Sequence, residues 1–293
     1  MPPRDHQFTV ASRCDLLPFL LTLPLGLSRK AAKDLLRFRN VKVQRVPVVK
    51  HDTRLEPGDV VTISSGKQLP AESLDRHGLK IVYLDDHIVV ADKRAGLLSM
   101  GSETEKERTA HRLLNDHLKA LTGSSTQQAF IVHRLDRDTS GLMLFARTRA
   151  IQSTLQDNWK TVTKKYQAIV EGVPPKTEGT LRDNLIESKS LRMHRVAHGG
   201  ELAITHYRVL RKGRNTALLE LTLETGRKNQ IRVQLAGLGH PIIGDRKYGA
   251  TTDPARRLAL HSTALKLSHP ISGAPLEFNN PMPTRLMEIL SKR

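Results

Sequence analysis

The segment from His133 to Gly141 concentrates groups that could do chemistry, with two carboxylates, two guanidiniums and one imidazole. Ile131-Val132 leads into it, and the apolar run Leu142 to Ala146 follows it. Apolar runs on both sides of a polar segment predict two strands joined by a loop. Catalytic groups concentrate on loops held by a rigid sheet, so we interpret the segment as a candidate catalytic loop. The alternative on composition alone is a solvated, charge-rich turn.

Two kinds of nucleophilic or acid–base site can be compared with this loop. The run Asp138 to Gly141 imitates the aspartic-protease motif, whose chemistry needs two carboxylates that share a proton, and the chain carries one copy. His133, Asp136 and Ser140 are the residue types of a nucleophilic triad, but the Gly-x-Ser-x-Gly elbow is absent. Neither pattern is complete.

A metal site is a third possibility. His194 and His198 have the i, i+4 spacing that brings two imidazoles to one face of a helix. The Glu of the zincin pattern does not stand between them, and Cys14 alone cannot form a cysteine cluster. We therefore expect no metal site.

The loop can be assigned more specifically when it is considered together with other sequence motifs along the chain. His133-Arg134-Leu135-Asp136-x-x-Thr139-Ser140-Gly141-Leu142 resembles the signature of the RluA-type pseudouridine synthases, which isomerise uridine within RNA. Five further blocks resemble that family in the same order, within positions 81 to 281: Lys93-Arg94-Ala95-Gly96-Leu97, Lys165-Tyr166-x-Ala168-x-Val170-x-Gly172, Gly226-Arg227-Lys228-Asn229-Gln230-Ile231-Arg232-Val233, Leu238-Gly239-His240-Pro241-Ile242-x-Gly244-Asp245-x-x-Tyr248-Gly249, and Leu260-His261 with Ser268-His269-Pro270. Several ordered blocks are much more specific than one.

The resemblance implies an α+β fold with a mixed, largely antiparallel sheet and flanking helices, and isomerisation of specific uridines in structured rRNA or tRNA. It assigns Asp136 as the catalytic carboxylate, Tyr166 as the ring against the uracil and Arg232 as the cation that keeps Asp136 ionised. A nearby cation opposes the protonation that burial would favour. Asn229 could cap the helix that carries Arg232. The reaction involves no redox change or group transfer, so we expect no cofactor.

Further residues of this domain are expected to contact the RNA. Uridine in folded RNA is stacked or paired, and extruding it costs a few kcal/mol. Arg134, beside Asp136, could occupy the vacated position or hold flanking phosphates. The predicted contacts are Arg134, Arg137, Thr139, Gly226, Arg227 and Gln230. Departures from the family at Arg94 (usually Pro), Lys228-Asn229 (usually Thr-His) and Gln234 (commonly His) concern the RNA target more than the reaction.

A framework of two domains is predicted to position this site, because 293 residues exceed a typical single domain. We predict a small α/β RNA-binding domain over 1–66, a linker over 67–79 and the catalytic domain over 80–293. In the catalytic domain, Ile81 to Leu84 and Ile88 to Ala91 predict a hairpin. The spacing of Ile151, Leu155 and Trp159 predicts an amphipathic helix, and the alternation from Leu219 to Glu224 predicts a half-buried strand.

The N-terminal 66 residues have a pattern of their own. Ser28 is a plausible N-cap of a helix that runs to Leu36, and strands are predicted at Val41 to Val43, at Val46 to Val49 and after Gly58. Arg13-x-Asp15, this helix and Leu55-x-Pro57-Gly58-Asp59-x-Val61 resemble the S-four-type RNA-binding domain, named after a small-subunit ribosomal protein. The helix is strongly basic, and we predict RNA contacts at Arg29, Lys30, Lys33 and Arg37.

Charge and composition agree with a polyanionic partner. The chain has 47 Lys and Arg against 29 Asp and Glu, a formal charge of +18, which indicates nucleic acid or an anionic membrane surface. Cys14 is the only cysteine, so no intramolecular disulfide can form and a reducing compartment fits. The apolar stretch from Leu16 to Leu27 is too short to cross a bilayer. We expect a cytoplasmic protein, monomeric by default, with no obligate protein partner.

Two other functions remain open on the sequence alone. The departures at Arg94, Lys228 and Gln234 would suit a non-catalytic RNA-binding or ribosome-assembly factor built on a synthase fold. A glycoside hydrolase would use Asp136 and Asp138 as its pair of carboxylates.

Overall fold

The structure is a computed structural model of the chain, and it describes residues 6–37, 41–44, 46–48, 50–63, 72–101, 105–122 and 127–291. Its N-terminal part forms a four-stranded antiparallel sheet in the order β1-β6-β3-β4, with a separate β2-β5 pair. The elements are β1 (His6–Thr9), β2 (Cys14–Asp15), α1 (Leu16–Thr22), α2 (Arg29–Arg37), β3 (Val41–Val43), β4 (Val46–Pro47), β5 (Arg54–Leu55) and β6 (Val60–Ile63).

The predicted helix after Ser28 and the predicted strands are confirmed, although β4 ends at Pro47 and Val49 lies outside the described residues. Leu16, Leu20, Leu36 and Leu55 are buried together in a core that contains only N-terminal residues. The apolar stretch that begins at Leu16 therefore forms a short core helix. Within the described residues, every helix falls short of the length and apolarity needed for a bilayer crossing.

The predicted linker is partly regular. Residues 64–71 lie outside the described part, but a short helix α3 (Glu72–Asp75) follows, with Leu74 buried. The first strand of the larger unit, β7 (Leu79–Leu84), begins one residue before the predicted start of the catalytic domain. The domain boundaries themselves stay a prediction.

The larger unit is built around one wide sheet. Its further elements are β8 (Ile88–Lys93), α4 (Ala110–Thr122), β9 (Phe130–Ile131), β10 (Ser140–Ala146), α5 (Arg149–Asp157), β11 (Thr163–Glu171), β12 (Glu178–Glu187), β13 (Met193–Val196), β14 (Glu201–Lys212), β15 (Thr216–Leu223), α6 (Gln230–Gly237), β16 (Leu260–Ser268), β17 (Pro275–Asn279) and α7 (Thr284–Met287). The strand order is β13-β12-β14-β15-β11-β16-β10-β8-β7, with β17 beside β16 and β9 beside β10. In the described residues β10 and β16 pair in parallel and the other named pairs are antiparallel, so the predicted mixed, largely antiparallel sheet is confirmed.

Strands β8 and β10 lie in the middle of the core because both of their faces are covered. Alternate residues of a strand point to opposite faces. Met143 and Phe145 pack into the layer that contains α4, whereas Leu142 and Leu144 pack into the layer that contains α5. A strand buried on both faces needs an unbroken apolar run, which explains the sequence from Leu142 to Ala146.

The other predicted elements are largely confirmed. The hairpin is β7-β8, the amphipathic helix is α5 and the half-buried strand is β15. Trp159 differs, because it lies in a separate 3-10 turn after α5. The helical interpretation of His194 and His198 is wrong: His194 lies in β13 and His198 follows that strand in a bend, so neither belongs to a helix. The described residues contain no group of three His, Cys, Asp or Glu side chains arranged to hold a metal ion.

Candidate active site

The segment between β9 and β10 is a loop, as predicted, and it is fixed by hydrogen bonds from the β8 side of the sheet. Ser99 Oγ donates to Leu135 O (2.6 Å), and Leu135 N donates back to Ser99 Oγ (3.1 Å). Lys93, which is fully buried, donates from Nζ to the carbonyls of Leu97 (2.8 Å) and Arg137 (3.0 Å). These bonds hold the backbone on both sides of Asp136, so the position of its carboxylate is set before any substrate binds.

His133, at the start of the loop, anchors it to β10 and to Trp159. Its Nε2 accepts a hydrogen bond from Leu144 N (3.0 Å), and its ring stacks on Trp159 with centroids 4.6 Å apart. Burial, assisted by the nearby Lys164 ammonium, lowers the pKa of His133 to about 3, so the imidazole is neutral. Ser140 Oγ pairs instead with His261 Nδ1 (2.7 Å). His133, Asp136 and Ser140 therefore do not form a triad.

Arg232 reaches the loop from α6, and its guanidinium is held on three sides. It makes two hydrogen bonds of 2.7 Å to the buried Asp245 carboxylate, and Nη1 donates to Asn229 Oδ1 (3.0 Å). Its Cζ lies 5.0 Å from the centroid of the Tyr248 ring, a cation–π contact. Nη1 also lies 3.7 Å from Asp136 Oδ2. The predicted proximity of Arg232 and Asp136 is confirmed, although Asp245 is the direct partner of the guanidinium.

Asn229 precedes α6 in the left-handed conformation with φ of 52°, which Asn tolerates better than most residues. Asn229 is the N-cap residue of α6, as expected, but its side chain makes no capping hydrogen bond to the helix. Instead Nδ2 donates to the Tyr248 hydroxyl (3.0 Å) while Oδ1 accepts from Arg232. Asn229 therefore links the Arg232 guanidinium to the Tyr248 hydroxyl.

Asp136 occupies an environment that opposes its charge. Burial raises the pKa of this carboxyl, and the positive charges of Arg232, Arg134 and Lys93 offset the effect only in part. Its side chain is 24% exposed, so a ligand can reach it from the cavity. The carboxylate is thus poorly solvated, accessible and next to a fixed cation.

Tyr166 lies on β11 and faces the same cavity as Asp136. Burial, followed by the nearby Asp136 charge, raises the pKa of its hydroxyl, so the phenol remains protonated at neutral pH. Leu223, Ile231 and Leu260 add apolar walls to this cavity. A protonated phenol, a carboxylate and apolar surfaces together suit a flat, polar heterocycle.

The residues predicted to contact RNA in this domain have different environments. Arg134 is exposed at the mouth of the cavity, and Gly226 and Arg227 lie on its rim, with Arg227 Nη1 bonded to Glu201 (2.7 Å). Thr139 is a buried lining residue, and Arg137 is exposed and paired with Asp138 at 3.2 Å.

Gln230 is buried, and its amide group is hydrogen-bonded within the protein. Its Nε2 donates to Ile204 O (3.0 Å) and Thr205 Oγ1 (2.9 Å), and its Oε1 accepts from Arg227 N (2.9 Å) and the Thr225 hydroxyl (2.8 Å). Its observed role is therefore to tie the loop before α6 to β14, and a direct contact with RNA stays a prediction. In the N-terminal part Arg29 and Lys33 are exposed on α2, whereas the side chains of Lys30 and Arg37 lie outside the described residues.

Asp136 and Asp138 face different spaces. Asp136 lines the cavity with Tyr166, while Asp138 lines a neighbouring cavity with Ser140, Arg257 and His261. This arrangement gives no support to a glycoside hydrolase in which both carboxylates face one sugar ring.

Asp245, Asn229 and Lys93 are the functional neighbours whose roles sequence reasoning missed. All three belong to blocks that carry the resemblance, but Asp245 contacts a residue 13 positions away and Lys93 one 44 positions away. The one local signal was the apolar pair Ile242-Ile243 just before Gly244-Asp245, and Arg246 and Lys247, which follow directly, made this Asp look like part of a solvated turn. Carboxylates are rarely buried without a cationic partner, so this Asp could have been searched for one.

Comparisons with known proteins agree with this geometry. A family model described as RNA pseudouridylate synthase matches residues 87–237. The ribosomal large subunit pseudouridine synthase D of Pasteurella multocida is 34% identical over 266 residues, covering 85% of this chain and 76% of the relative. The RNA pseudouridine synthase YhcT of Bacillus subtilis is 31% identical over 276 residues, covering 92% of this chain and 90% of the relative.

Solved structures show the same fold. The structure described as Human RNA Pseudouridylate Synthase Domain Containing 4 matches with a TM-score of 0.63 and 27% identity, over 75% of this chain and 95% of that one. Human RNA Pseudouridylate Synthase Domain Containing 1 matches with a TM-score of 0.57 and 24% identity, over 70% and 84% of the two chains.

The sheet and the cavity beneath the β9–β10 loop are those of an α+β enzyme that modifies RNA. The chain belongs to the RNA pseudouridylate synthase family. It is an isomerase that converts uridine to pseudouridine in RNA.

Proposed function

We propose that this chain modifies uridines of large-subunit ribosomal RNA, with Asp136 as the catalytic carboxylate, Tyr166 against the uracil and Arg232 as the cation that keeps Asp136 ionised. The observation that carries the proposal is the convergence of these three side chains, from a loop, a strand and a helix, on one cavity. The names of several relatives, ribosomal large subunit pseudouridine synthase D, support the RNA class.

The reaction breaks the bond from ribose C1′ to uracil N1, turns the base and forms a bond from C1′ to C5. One proton leaves C5 and one is gained at N1, so the product is an isomer of the substrate. An ionised Asp136 can attack C1′ or stabilise the positive charge that develops on the sugar as N1 departs. Tyr166 can hold the detached uracil by its ring and offer its hydroxyl to a polar edge of the base.

The surroundings of the cavity suit RNA. Arg134 at the mouth can enter the position that the extruded uridine vacates or contact a flanking phosphate. Thr139, Gly226 and Arg227 form the rest of the contact surface in this proposal. The N-terminal unit over 1–66 acts as an RNA-binding domain through α2, where Arg29 and Lys33 are exposed. We further propose that the protein acts in the cytoplasm as a monomer.

Substitution of Asp136 tests the proposal. We expect Asp136→Asn to abolish pseudouridine formation, because the amide is nearly isosteric but can neither attack C1′ nor stabilise a cationic sugar by its charge. RNA affinity should stay near the wild-type value. Asp138→Asn, a change of the same type two positions away, should keep substantial turnover because Asp138 lies outside the cavity.

The measurement is a pseudouridine map of ribosomal RNA and tRNA from cells that lack the gene, complemented with wild type, Asp136→Asn or Asp138→Asn. Sites that wild type restores and Asp136→Asn does not would identify the target uridines. Full turnover by Asp136→Asn would refute the assigned carboxylate. A map with sites restored only in tRNA would refute the ribosomal substrate, and a map that wild type leaves unchanged would favour a binding factor.

A further inference from the structure

A second concave surface adjoins the catalytic loop. This surface, which we call the lateral groove, has a volume of about 620 Å³ and runs between α3, the segment after β8 and the segment before α4. Its charged and polar lining consists of Arg76, His77, Arg94, Glu105, Arg108 and Arg137. Four guanidiniums and one carboxylate line it, although Arg94 and Arg137 also form exposed ion pairs with Asp75 and Asp138.

Two of the arginines, Arg76 and Arg108, have exposed side chains. Arg108 lies near the Glu105 carboxylate and lowers its pKa. Glu105 Oε1 also accepts hydrogen bonds from the backbone N of Glu107 and Arg108 at 2.9 Å each, which fixes its carboxylate beside the groove. Exposed arginines are suited to bind phosphate with two parallel hydrogen bonds.

Arg94 contributes a third positive charge at the floor of the groove. Its Nη2 lies 2.8 Å from Asp75 Oδ1, and both side chains are about half exposed, so this ion pair is solvated and weak.

The lateral groove borders the loop that carries Asp136, because Arg137 lines it. Arg94 N donates to Gly78 O, and Gly96 N donates to Arg137 O, each at 2.8 Å. Arg137 is the residue immediately after Asp136. An RNA strand whose uridine enters the cavity at Asp136 would therefore lead its neighbouring phosphates past Arg137 towards Arg94.

We propose that the lateral groove binds the phosphate backbone of the RNA segment that flanks the target uridine, with Arg76, Arg94 and Arg108 as its contacts. The inference rests on the proposed function, because it takes the occupant of the groove to be the same molecule that occupies the cavity. An acidic protein segment would match the charge but not the position of the groove beside the catalytic loop.

The test compares a variant that lacks three positive charges in the groove with a control variant that lacks three positive charges at a distant surface. Arg76→Ala/Arg94→Ala/Arg108→Ala is compared with Arg211→Ala/Lys212→Ala/Arg214→Ala, which lowers the net charge equally at the end of the β14–β15 hairpin. In the sheet order that hairpin is separated from β8 by β11, β16 and β10. Both triples also carry Asp136→Asn, so that binding is measured without turnover.

The probes are an oligouridylate of about 30 nucleotides and a hexauridylate, because phosphate contacts do not depend on sequence. For the long probe, the groove triple should raise the dissociation constant about tenfold or more at moderate salt. It should also reduce the slope of log affinity against log salt by about 2, since each lost single-strand contact removes roughly 0.7. The hexauridylate should be affected much less, and the hairpin triple should resemble the parent with both probes.

A further variant, expected to strengthen binding instead of weakening it, completes the test. Asp75→Asn removes the competing carboxylate from Arg94 and should tighten binding of the long probe by a few-fold. An effect of the groove triple equal to that of the hairpin triple would overturn the proposal, as would weaker binding by Asp75→Asn. Loss of ribosomal pseudouridines in the map above tests the proposed function separately, because the binding measurement uses an inactive protein and synthetic RNA.

Discussion

Asp136 gives the site its pH dependence. In the proposed mechanism its carboxyl acts in the ionised form, and burial places its pKa above the ordinary value, so kcat/KM should fall as the pH drops through that raised pKa. Arg232→Met/Asp245→Asn removes the nearest cation without leaving a buried carboxylate unpaired. Losing Asp245 alone would lower the pKa of Asp136, but Arg232 is the larger influence. We therefore expect the acid limb of the kcat/KM profile to move to higher pH.

The control for this shift is Asp245→Asn by itself, which keeps the cation near Asp136. Its acid limb should stay in place or move to lower pH, whereas kcat should fall because a guanidinium without its Asp245 partner is less well oriented. The measurement is the initial rate, across acidic and neutral pH, on an unmodified RNA transcript that contains the target uridine. An acid limb of the double variant at or below the wild-type position would contradict the role of Arg232.

The same electrostatics should make Asp136 unfavourable for stability. A carboxyl whose pKa is higher in the folded than in the unfolded protein costs stability at any pH above the folded-state pKa, and the cost disappears as the pH falls below the unfolded-state pKa. Asp136→Asn should therefore be more stable than wild type at neutral pH, with a difference that shrinks in acid. Arg232 keeps Asp245 as its partner, and the buried Lys93 keeps its carbonyl acceptors and the nearby charge of Asp138, so the substitution leaves neither cation without a partner. Urea unfolding at two pH values would measure the effect, and a loss of stability at neutral pH would contradict it.

Strand β10 places the catalytic loop because its first residues approach β16 very closely. Gly141 has φ of +113°, and a Cβ there would lie 2.2 Å from the Ser262 carbonyl oxygen. Neither backbone can move without breaking the β10–β16 pairing. We expect Gly141→Ala to cost more than about 4 kcal/mol of unfolding free energy, which is exceptional for a single substitution.

The matched control for this backbone contact is Gly239→Ala. Gly239 also has positive φ, +87°, but a Cβ there would meet nothing within 4 Å. Its cost should be limited to backbone strain of about 1–2 kcal/mol. Chemical denaturation of both variants measures the difference, and equal costs would show that the close approach to Ser262 is unimportant.

An element could be predicted when the local sequence pattern determines it, and could not when contacts between distant segments do. Helix α5 was predictable because burial on one face leaves a periodic apolar pattern, and strands β8 and β10 because burial on both faces leaves an unbroken apolar run. Helix α6 has no such pattern, since every residue from Gln230 to Leu235 is buried, polar ones included. The resemblance pointed to the three residues that converge on the cavity. It could not reveal the hydrogen bonds of Asn229 or Asp245, which depend on contacts between distant segments.

At the scale of the whole molecule, the net charge of +18 has distinct parts. Arg232 is buried and orients groups at the cavity, so it contributes little to long-range attraction. Exposed cations on α2, at the cavity mouth and in the lateral groove can bind phosphates with an affinity that falls as salt rises. RNA binding should therefore be distributed over both units, with chemistry confined to one.

Two separate cores lead to a prediction about independent stability. Leu20 belongs to a core made only of N-terminal residues, and Leu142 belongs to a core between β8, β10 and α5. Both are fully buried, so truncation to Ala should cost about 2–5 kcal/mol in either place. Leu20→Ala should accelerate amide hydrogen exchange within residues 6–63 and leave exchange in β8 and β10 unchanged. Leu142→Ala should do the reverse.

Activity should separate the two variants further, because the cavity is built entirely from the larger unit. With a short RNA that carries one target uridine, Leu20→Ala should keep its kcat and lose affinity, whereas Leu142→Ala should lose turnover as β10 and the loop before it become less ordered. Exchange followed by mass spectrometry and initial rates on the same samples test both expectations. If Leu20→Ala accelerated exchange equally in both units, the two would unfold as one, and the predicted boundary between residues 66 and 80 would be wrong.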